Sequence, residues 1–143
     1  MKFLNEKGQE ITLKQSVHLP GYEVVLAEDT IIESAVNNPF FKGINVLQLP
    51  KKLKGFRENE DLKKLLEPQI LNSGVILSLN HGEFGYFQFS KEIIMKFRLV
   101  SATEIFGNNE LISPMVVNMG LKNIKLKKNT IIGTLIGQNS ILL

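Results

Sequence analysis

Apolar positions along the chain alternate over short runs, and turn residues separate the runs about every 8–12 positions. In one run Tyr22, Val24 and Leu26 alternate with Glu23 and Val25, just after the Pro20-Gly21 turn. This period of two predicts strands, because successive side chains of a strand point to opposite faces of a sheet. Turns at this spacing are typical of antiparallel sandwiches and barrels and not of βαβ units. We therefore predict an all-β fold, a β-barrel or sandwich.

The strand signal is densest in the second half of the chain. The segment FGYFQF after the His81-Gly82 turn alternates aromatic residues, and EIIMKFRLV after it is rich in strand formers. A strong turn, Gly107-Asn108-Asn109, comes before the next apolar stretch. We expect Phe84–Leu99 and Leu111–Ile136 to form neighbouring strands of one β framework.

The aromatic residues of FGYFQF occupy both faces of the expected strand. Phe84 and Tyr86 would point to one face, and Phe87 and Phe89 to the other. Both faces should then be covered, and in a small domain another subunit can supply one cover. The apolar end of the chain, Ile141-Leu142-Leu143, favours the same interpretation. We expect a homo-oligomer.

One helix interrupts this pattern. Acidic residues crowd the start of Glu58–Leu66, lysines follow, and Pro68 lies just beyond, as expected for a short helix. A further strand is expected at Gly43–Leu49. We interpret the helix as an insertion on the β framework.

Composition limits the chemistry of the chain. Its 143 residues fit one domain, 1–143, with 43% hydrophobic and 22% charged residues. No apolar run approaches the roughly 20 residues that span a bilayer, and charges interrupt the first segment. We therefore expect a cytoplasmic protein; if the protein is viral, we expect it in the host cytoplasm or the virion. Without cysteine and with two histidines, cysteine-ligated and multi-histidine metal centres are excluded. We expect no cofactor, although carboxylate-held Mg²⁺ stays compatible with an enzyme.

Lysines gather in two places, although the net charge is only +3. One group lies around residues 51–57, and the other comprises Lys122, Lys125, Lys127 and Lys128. Such groups commonly solvate a turn or blunt a strand edge, and alternatively attract phosphates. Few aromatic residues accompany them, which disfavours binding to nucleic acids.

Few residues suit catalysis. Glu28 and Asp29 could hold Mg²⁺ but lie in an expected turn, and His81 also reads as a turn residue. A phosphate-binding P-loop and a Gly-x-Ser-x-Gly elbow are both missing from the sequence.

The segment Met115–Ile136 resembles the closing strands of the dUTPase and dCTP deaminase superfamily. The positions that match are Asn118, Gly120, Ile124, Leu126, Ile132, Gly133, Leu135 and Ile136. Thr134 stands where the family usually has Gln. Ser78–Met95 resembles a deaminase stretch, through Gly82, Glu83, Phe84 and Glu92, whereas Gly21, Tyr22 and Glu23 resemble the Gly-Tyr-Asp strand that opens dUTPases.

The resemblance implies a dUTPase-like β fold and a trimer, but the family's catalytic motifs are not matched. The Arg-Ser-Ser triplet that binds triphosphate does not occur in the sequence, and the tail GQNSILL is apolar rather than Gly-rich. In SATEIFGNNE, Glu104 is the best analogue of the acidic residue that activates water or contacts the sugar. The sequence therefore favours a non-catalytic dUTPase-like binding protein for a nucleotide or protein ligand, with a viral or phage accessory or structural role.

Two alternatives remain open at this point. One is a divergent nucleotide hydrolase or deaminase that uses Glu104 as base and Lys122, Lys125, Lys127 and Lys128 near the phosphates. The other is a structural subunit whose sheet edges build a larger assembly.

Overall fold

The computed structural model describes residues 1–37 and 67–141. The helix expected at Glu58–Leu66 and the strand expected at Gly43–Leu49 lie outside these ranges. The described part consists mainly of short strands, with bounds β1 Lys2–Leu4, β2 Glu10–Ile11, β3 Tyr22–Val25, β4 Thr30–Ile32, β5 Gln69–Ile70, β6 Ile76–Ser78, β7 Glu83–Phe89, β8 Leu99–Ser101, β9 Glu104–Phe106, β10 Met115–Asn118, β11 Ile124–Leu126 and β12 Ile131–Asn139. A short 3₁₀ helix at Ala35–Asn37 and one α-helix, α1 at Lys91–Phe97, complete it. The expected all-β fold is confirmed.

The strands of the described ranges pair antiparallel in four small sheets. The largest has the order β3-β12-β7-β9, and two three-stranded sheets have the orders β2-β1-β6 and β5-β10-β8. Strands β11 and β4 form the fourth sheet. Long strand β12 is central because it pairs with β7 along seven consecutive positions and with β3 on its other edge.

The core is where the inner faces of these sheets meet. Phe87, fully buried, contacts the rings of Phe89 at 5.9 Å and Phe106 at 6.5 Å between centroids, both edge-on. Leu135, the cross-strand partner of Phe87, is also fully buried. Burying side chains of this size contributes about 1.5–3 kcal/mol each. The alternation along β7 is as expected: Phe87 and Phe89 face the core, whereas Phe84 and Tyr86 stay half-buried on the outer face.

The prediction of a strand over EIIMKFRLV is wrong for the first part of this segment, because Lys91–Phe97 forms α1 and only Leu99–Ser101 forms a strand. Ser90 caps the helix by accepting a hydrogen bond from the Ile93 N–H, and Arg98 ends it in the left-handed conformation. Ile93, Ile94 and Phe97 pack against the core. Their spacing is that of a helix face, which the β propensity of the isoleucines conceals.

A buried side-chain amide joins two of the sheets. The Asn118 Nδ2 donates to the carbonyls of Ile32 (3.1 Å) and Lys122 (2.8 Å), and its Oδ1 accepts from the Gly120 N–H (2.9 Å). Asn118 is 2% exposed. One side chain thus connects the end of β10 to β4 and fixes the loop that leads to β11. The Asn-x-Gly pattern at Asn118 and Gly120 supplies this connection.

Candidate functional site

A cleft of about 640 Å³ lies over the outer face of the four-stranded sheet. Its floor is a row of three polar side chains on adjacent strands, because Thr134 of β12 pairs with Glu23 of β3 on one side and with Gln88 of β7 on the other. Their inward-facing neighbours Val24, Leu135 and Phe89 belong to the core. The rigid sheet therefore fixes the three polar groups relative to one another.

Two segments form the walls of the cleft. On one side the loop Ser16–Leu19 overhangs the sheet, and on the other lies Ser90–Ile93 at the start of α1. The loop is closed by a hydrogen bond from the Ser16 N–H to the Gly21 carbonyl (2.8 Å) and one from the Leu19 N–H to the Ser16 Oγ (3.4 Å). Gly21, at the end of the loop, allows the backbone to lie close to β12, because a Cβ there would overlap the carbonyl oxygen of Leu135.

The charge lining the cleft is mixed, with two carboxylates and one lysine. Glu23 on the floor is mostly buried, and its carboxylate lies 3.9 Å from the exposed Lys14 ammonium. Lys91 and Glu92 are neighbours at the start of α1, and His18 lies in the loop opposite. Because Glu23 is paired with Lys14, Lys91 and Glu92 are the remaining ammonium and carboxylate groups of the lining. This set of groups provides hydrogen-bond donors and acceptors but little cationic charge.

Glu104 lies on β9, one of the two edge strands of the same sheet, and it does not line the cleft. Its cross-strand partner is the core residue Phe87, and its Oε2 accepts a hydrogen bond from the Met115 N–H at 2.8 Å. Burial raises the pKa of Glu104, and the Met115 hydrogen bond opposes that rise. In this position the carboxylate ties β9 to the start of β10.

The four candidate lysines lie on and around β11, in a different sheet from Glu104. Lys122, Lys125, Lys127 and Lys128 are all exposed, and none lines the cleft. Within residues 1–37 and 67–141 none of the four forms an ion pair. The lysines and Glu104 are therefore associated with different sheets, and none of them belongs to the cleft lining.

The other acidic and histidine candidates occupy turns. The Asp29 Oδ1 accepts a hydrogen bond from the Lys128 N–H at 2.7 Å, which links the β3–β4 turn to the β11–β12 turn. His81 lies in the turn before β7, where Gly82 has a φ of 85°. Among the described residues no three histidine or acidic side chains are grouped closely enough to hold a metal ion. In that same part of the chain no helix has the length and apolarity needed to cross a membrane.

Sequence reasoning did not predict the cleft, although it singled out two of its three floor residues. Glu23 occupies the acidic position of the dUTPase-like Gly-Tyr-Asp strand, and Thr134 replaces the usual Gln. The strand register brings these two together, 111 positions apart, which no local pattern indicates. Lys91 was missed because its segment was expected to be a strand, and Glu92 was noted only as a match to the deaminase stretch.

Comparisons with solved structures identify the fold. The chain is similar to dUTPase from Streptococcus mutans, at 16% identity and a TM-score of 0.60 over 91% of this chain and 85% of that one. It is also similar to EIAV dUTPase (15% identity, TM-score 0.58, 96% and 87% covered). A mutant of the Staphylococcus bacteriophage 80alpha dUTPase with dUpNHpp matches at 12% identity and a TM-score of 0.63, with 93% and 78% covered. The protein therefore has the dUTPase-like β fold that the closing strands predicted.

No family model matches the sequence, and no curated protein matches it either. The identities to the solved structures are low, so the similarity describes the backbone architecture and leaves the chemistry to the residues of this chain.

Proposed function

We propose that this protein is a non-catalytic binding protein with a dUTPase-like fold, which works as a homo-oligomer, a trimer. Its cleft over the four-stranded sheet takes a small polar ligand of nucleoside size that carries at most one phosphate. The mixed charge of the cleft lining carries this proposal. A phage or viral accessory role fits the phage dUTPases among its structural neighbours.

The size and lining of the cleft support a small-molecule ligand. A volume of about 640 Å³ falls within the range of roughly 300–1,000 Å³ found for ligand pockets. Val17, Leu19 and Ile131 provide apolar contact, and Glu23, Gln88 and Thr134 provide converging polar groups. A flat base could lie against the first set while its edge hydrogen-bonds to the second.

The electrostatics disfavour a triphosphate. Proteins that bind polyphosphates surround them with arginine, lysine or backbone N–H groups, whereas this cleft offers Lys91 against Glu23 and Glu92. Glu23 on the floor is mostly buried and already pairs with the Lys14 ammonium at 3.9 Å, so that lysine is not free to bind a phosphate. Each added phosphate should therefore weaken binding.

Self-association is supported by apolar side chains on the outer side of the four-stranded sheet. Ile136, Tyr86 and Ile105 form a row across β12, β7 and β9, beside the polar row of the cleft. Ile105 is 63% exposed. Outer faces of antiparallel sheets are usually polar when water covers them, so this row is suited to contact with another subunit.

A thermal-shift panel of nucleosides and of mono-, di-, tri- and cyclic nucleotides tests the proposal, because a ligand bound only by the native state raises its melting temperature. We expect a rise with nucleosides or monophosphates and a smaller one with triphosphates. Thr134→Phe, which fills the floor, should abolish the rise, whereas Gln138→Phe, an exposed position on the same strand, should preserve it. A flat response across the panel would refute binding of a small ligand in the cleft. It would favour the interpretation of the protein as a purely structural subunit.

The alternative is a divergent nucleotide hydrolase or deaminase with Glu104 as base, the lysines of β11 at the phosphates and Mg²⁺ as cofactor. The raised pKa of Glu104 is the observation that favours it. Release of pyrophosphate or ammonia that Glu104→Gln abolishes would establish this alternative and overturn the non-catalytic proposal.

A further inference from the structure

The polar floor of the cleft has hydrogen-bonding capacity that the protein itself does not fill. Glu23, Thr134 and Gln88 are cross-strand neighbours, and all three line the cleft. Among the residues that the structure describes, none of these three side chains forms a hydrogen bond. In that part of the chain no polar side-chain atom is both unpaired and sealed from solvent, so the unpaired groups of the floor open into the cleft. A bound ligand can therefore supply their partners.

Glu23 restricts what that ligand can be, because an ionised carboxylate accepts hydrogen bonds and donates none. Its side chain is 15% exposed, and the Lys14 ammonium lies 3.9 Å from Oε2, which is too far for a hydrogen bond. Both carboxylate oxygens thus remain available as acceptors. The backbone of Glu23 is fixed on both sides, by pairing with Thr134 and by donation of its N–H to the Lys14 carbonyl (2.8 Å). This arrangement favours a ligand with two neighbouring N–H donors.

The other two groups of the floor can donate. A threonine hydroxyl and a glutamine amide each offer both a donor and an acceptor. Thr134 is 9% exposed and lies one strand away from Glu23, and adjacent strands are about 4.8 Å apart. Gln88 lies one strand further on. Across the floor the groups therefore run from two acceptor oxygens to two side chains that can donate.

Among the common bases, guanine has the edge that complements this order. Its Watson–Crick edge presents the 2-amino group, then N1–H, then the acceptor O6. Uracil and thymine present one N–H between two carbonyls, whereas adenine and cytosine present an amino group beside an acceptor ring nitrogen. Each of these four places an acceptor against a carboxylate oxygen, and a mostly buried acceptor without a donor is costly.

We propose that the cleft recognises the Watson–Crick edge of guanine and that Glu23 is the residue that determines this specificity. The inference rests on the nucleoside site of the proposed function and specifies its base. Glu23 accepts from N1–H and from the 2-amino group, and Thr134 or Gln88 donates to O6. The aliphatic side chains of Leu19 and Ile131 in the lining contact the faces of the ring.

Isothermal titration calorimetry of the wild type with five deoxynucleosides tests the choice of base, because uncharged ligands separate the base from the phosphates. Deoxyguanosine should bind more tightly than deoxyinosine, deoxyadenosine, deoxycytidine and deoxyuridine. Deoxyinosine lacks only the 2-amino group, and losing that hydrogen bond to a carboxylate should weaken binding about 10- to 100-fold. Equal affinity for deoxyguanosine and deoxyinosine, or tighter binding of another base, would overturn guanine recognition and leave the nucleoside site standing. No binding of any nucleoside would overturn both.

Glu23→Gln tests the role of the carboxylate. The amide retains one acceptor and gains one donor, which matches xanthine, where a carbonyl replaces the 2-amino group of guanine. The variant should bind deoxyxanthosine about tenfold more tightly than deoxyguanosine, and the wild type should show the reverse preference. Glu10→Gln makes the same change at an exposed position on β2 and should retain the wild-type preference.

A purely structural role for Glu23 predicts a different result. Glu23→Gln would then weaken both ligands equally, and this outcome would overturn the assignment of Glu23 as the specificity-determining residue. Circular dichroism without ligand establishes whether the variant folds. If it does not fold, the comparison of deoxyguanosine with deoxyinosine on the wild type decides the proposal.

Discussion

Asn118 provides the most demanding test of the fold, because one buried side chain holds three backbone groups. Asn118→Leu retains most of the volume but removes both hydrogen bonds from Nδ2 and the one to Oδ1. An unsatisfied buried group costs about 1–3 kcal/mol, and the Lys122 carbonyl lies near solvent, so we expect a total loss of roughly 3–5 kcal/mol. This is a large share of the 5–15 kcal/mol that stabilises a typical domain.

Urea denaturation, followed by circular dichroism, measures this loss as a fall in the transition midpoint with an unchanged slope. The matched control is Asn139→Leu, because Asn139 is exposed at the end of β12 and should change stability by less than about 0.5 kcal/mol. A loss below about 1 kcal/mol in Asn118→Leu would refute the assigned role of the amide.

Asn118→Asp separates the donors from the acceptor. The carboxylate still accepts from the Gly120 N–H but faces the carbonyls of Ile32 and Lys122 without donors. We expect the pKa of the new carboxyl to rise in the folded state, so that the penalty is present at pH 7 and shrinks as the pH falls. A penalty that does not depend on pH between 4.5 and 7 would contradict this explanation.

Three further predictions concern the sheet and its edge. Gly133→Ala should destabilise by about 1–3 kcal/mol in urea denaturation, because the added Cβ overlaps the Gln88 carbonyl oxygen and the Phe87 ring; wild-type stability would contradict that packing. Phe87→Ala should cost about 3–5 kcal/mol in the same assay, since the ring is fully buried, and a loss under 1 kcal/mol would place it outside the core. The raised pKa of Glu104 means that the folded state holds its proton more tightly, so this group's contribution to stability is greatest below the unfolded pKa and falls as the pH rises through the folded pKa. Glu104→Gln should remove that fall in thermal scans between pH 4 and pH 7, and an unchanged pH profile would contradict the shift.

The sequence predicted the fold well where the pattern is local. Alternation identified β3 and β7, and the resemblance of Met115–Ile136 to the closing strands of the superfamily covered β10, β11 and most of β12. The turns at His81-Gly82 and Gly107-Asn108-Asn109 lie where the structure has them. The prediction for Lys91–Phe97 was wrong because its two isoleucines favour a strand. In the structure the Ser90 cap and the helical spacing of the core contacts stabilise a helix instead.

The cleft could not be predicted in the same way. Its floor depends on the register of β12 against β3 and β7, which is set by tertiary packing and leaves no mark in any short segment. The apolar outer face of the sheet β5-β10-β8 was also hidden in the sequence, because Ile70 and Val100 reach the same face as Met115 only through pairings between distant strands.

Isothermal titration calorimetry with a deoxynucleoside, its monophosphate and its triphosphate, in the presence of Mg²⁺, tests the central claim most directly. The proposed function predicts saturable heat, with the nucleoside or monophosphate bound more tightly than the triphosphate, and a return to baseline after every injection. Tighter binding of the triphosphate, or a sustained heat of hydrolysis that Glu104→Gln removes, would contradict it.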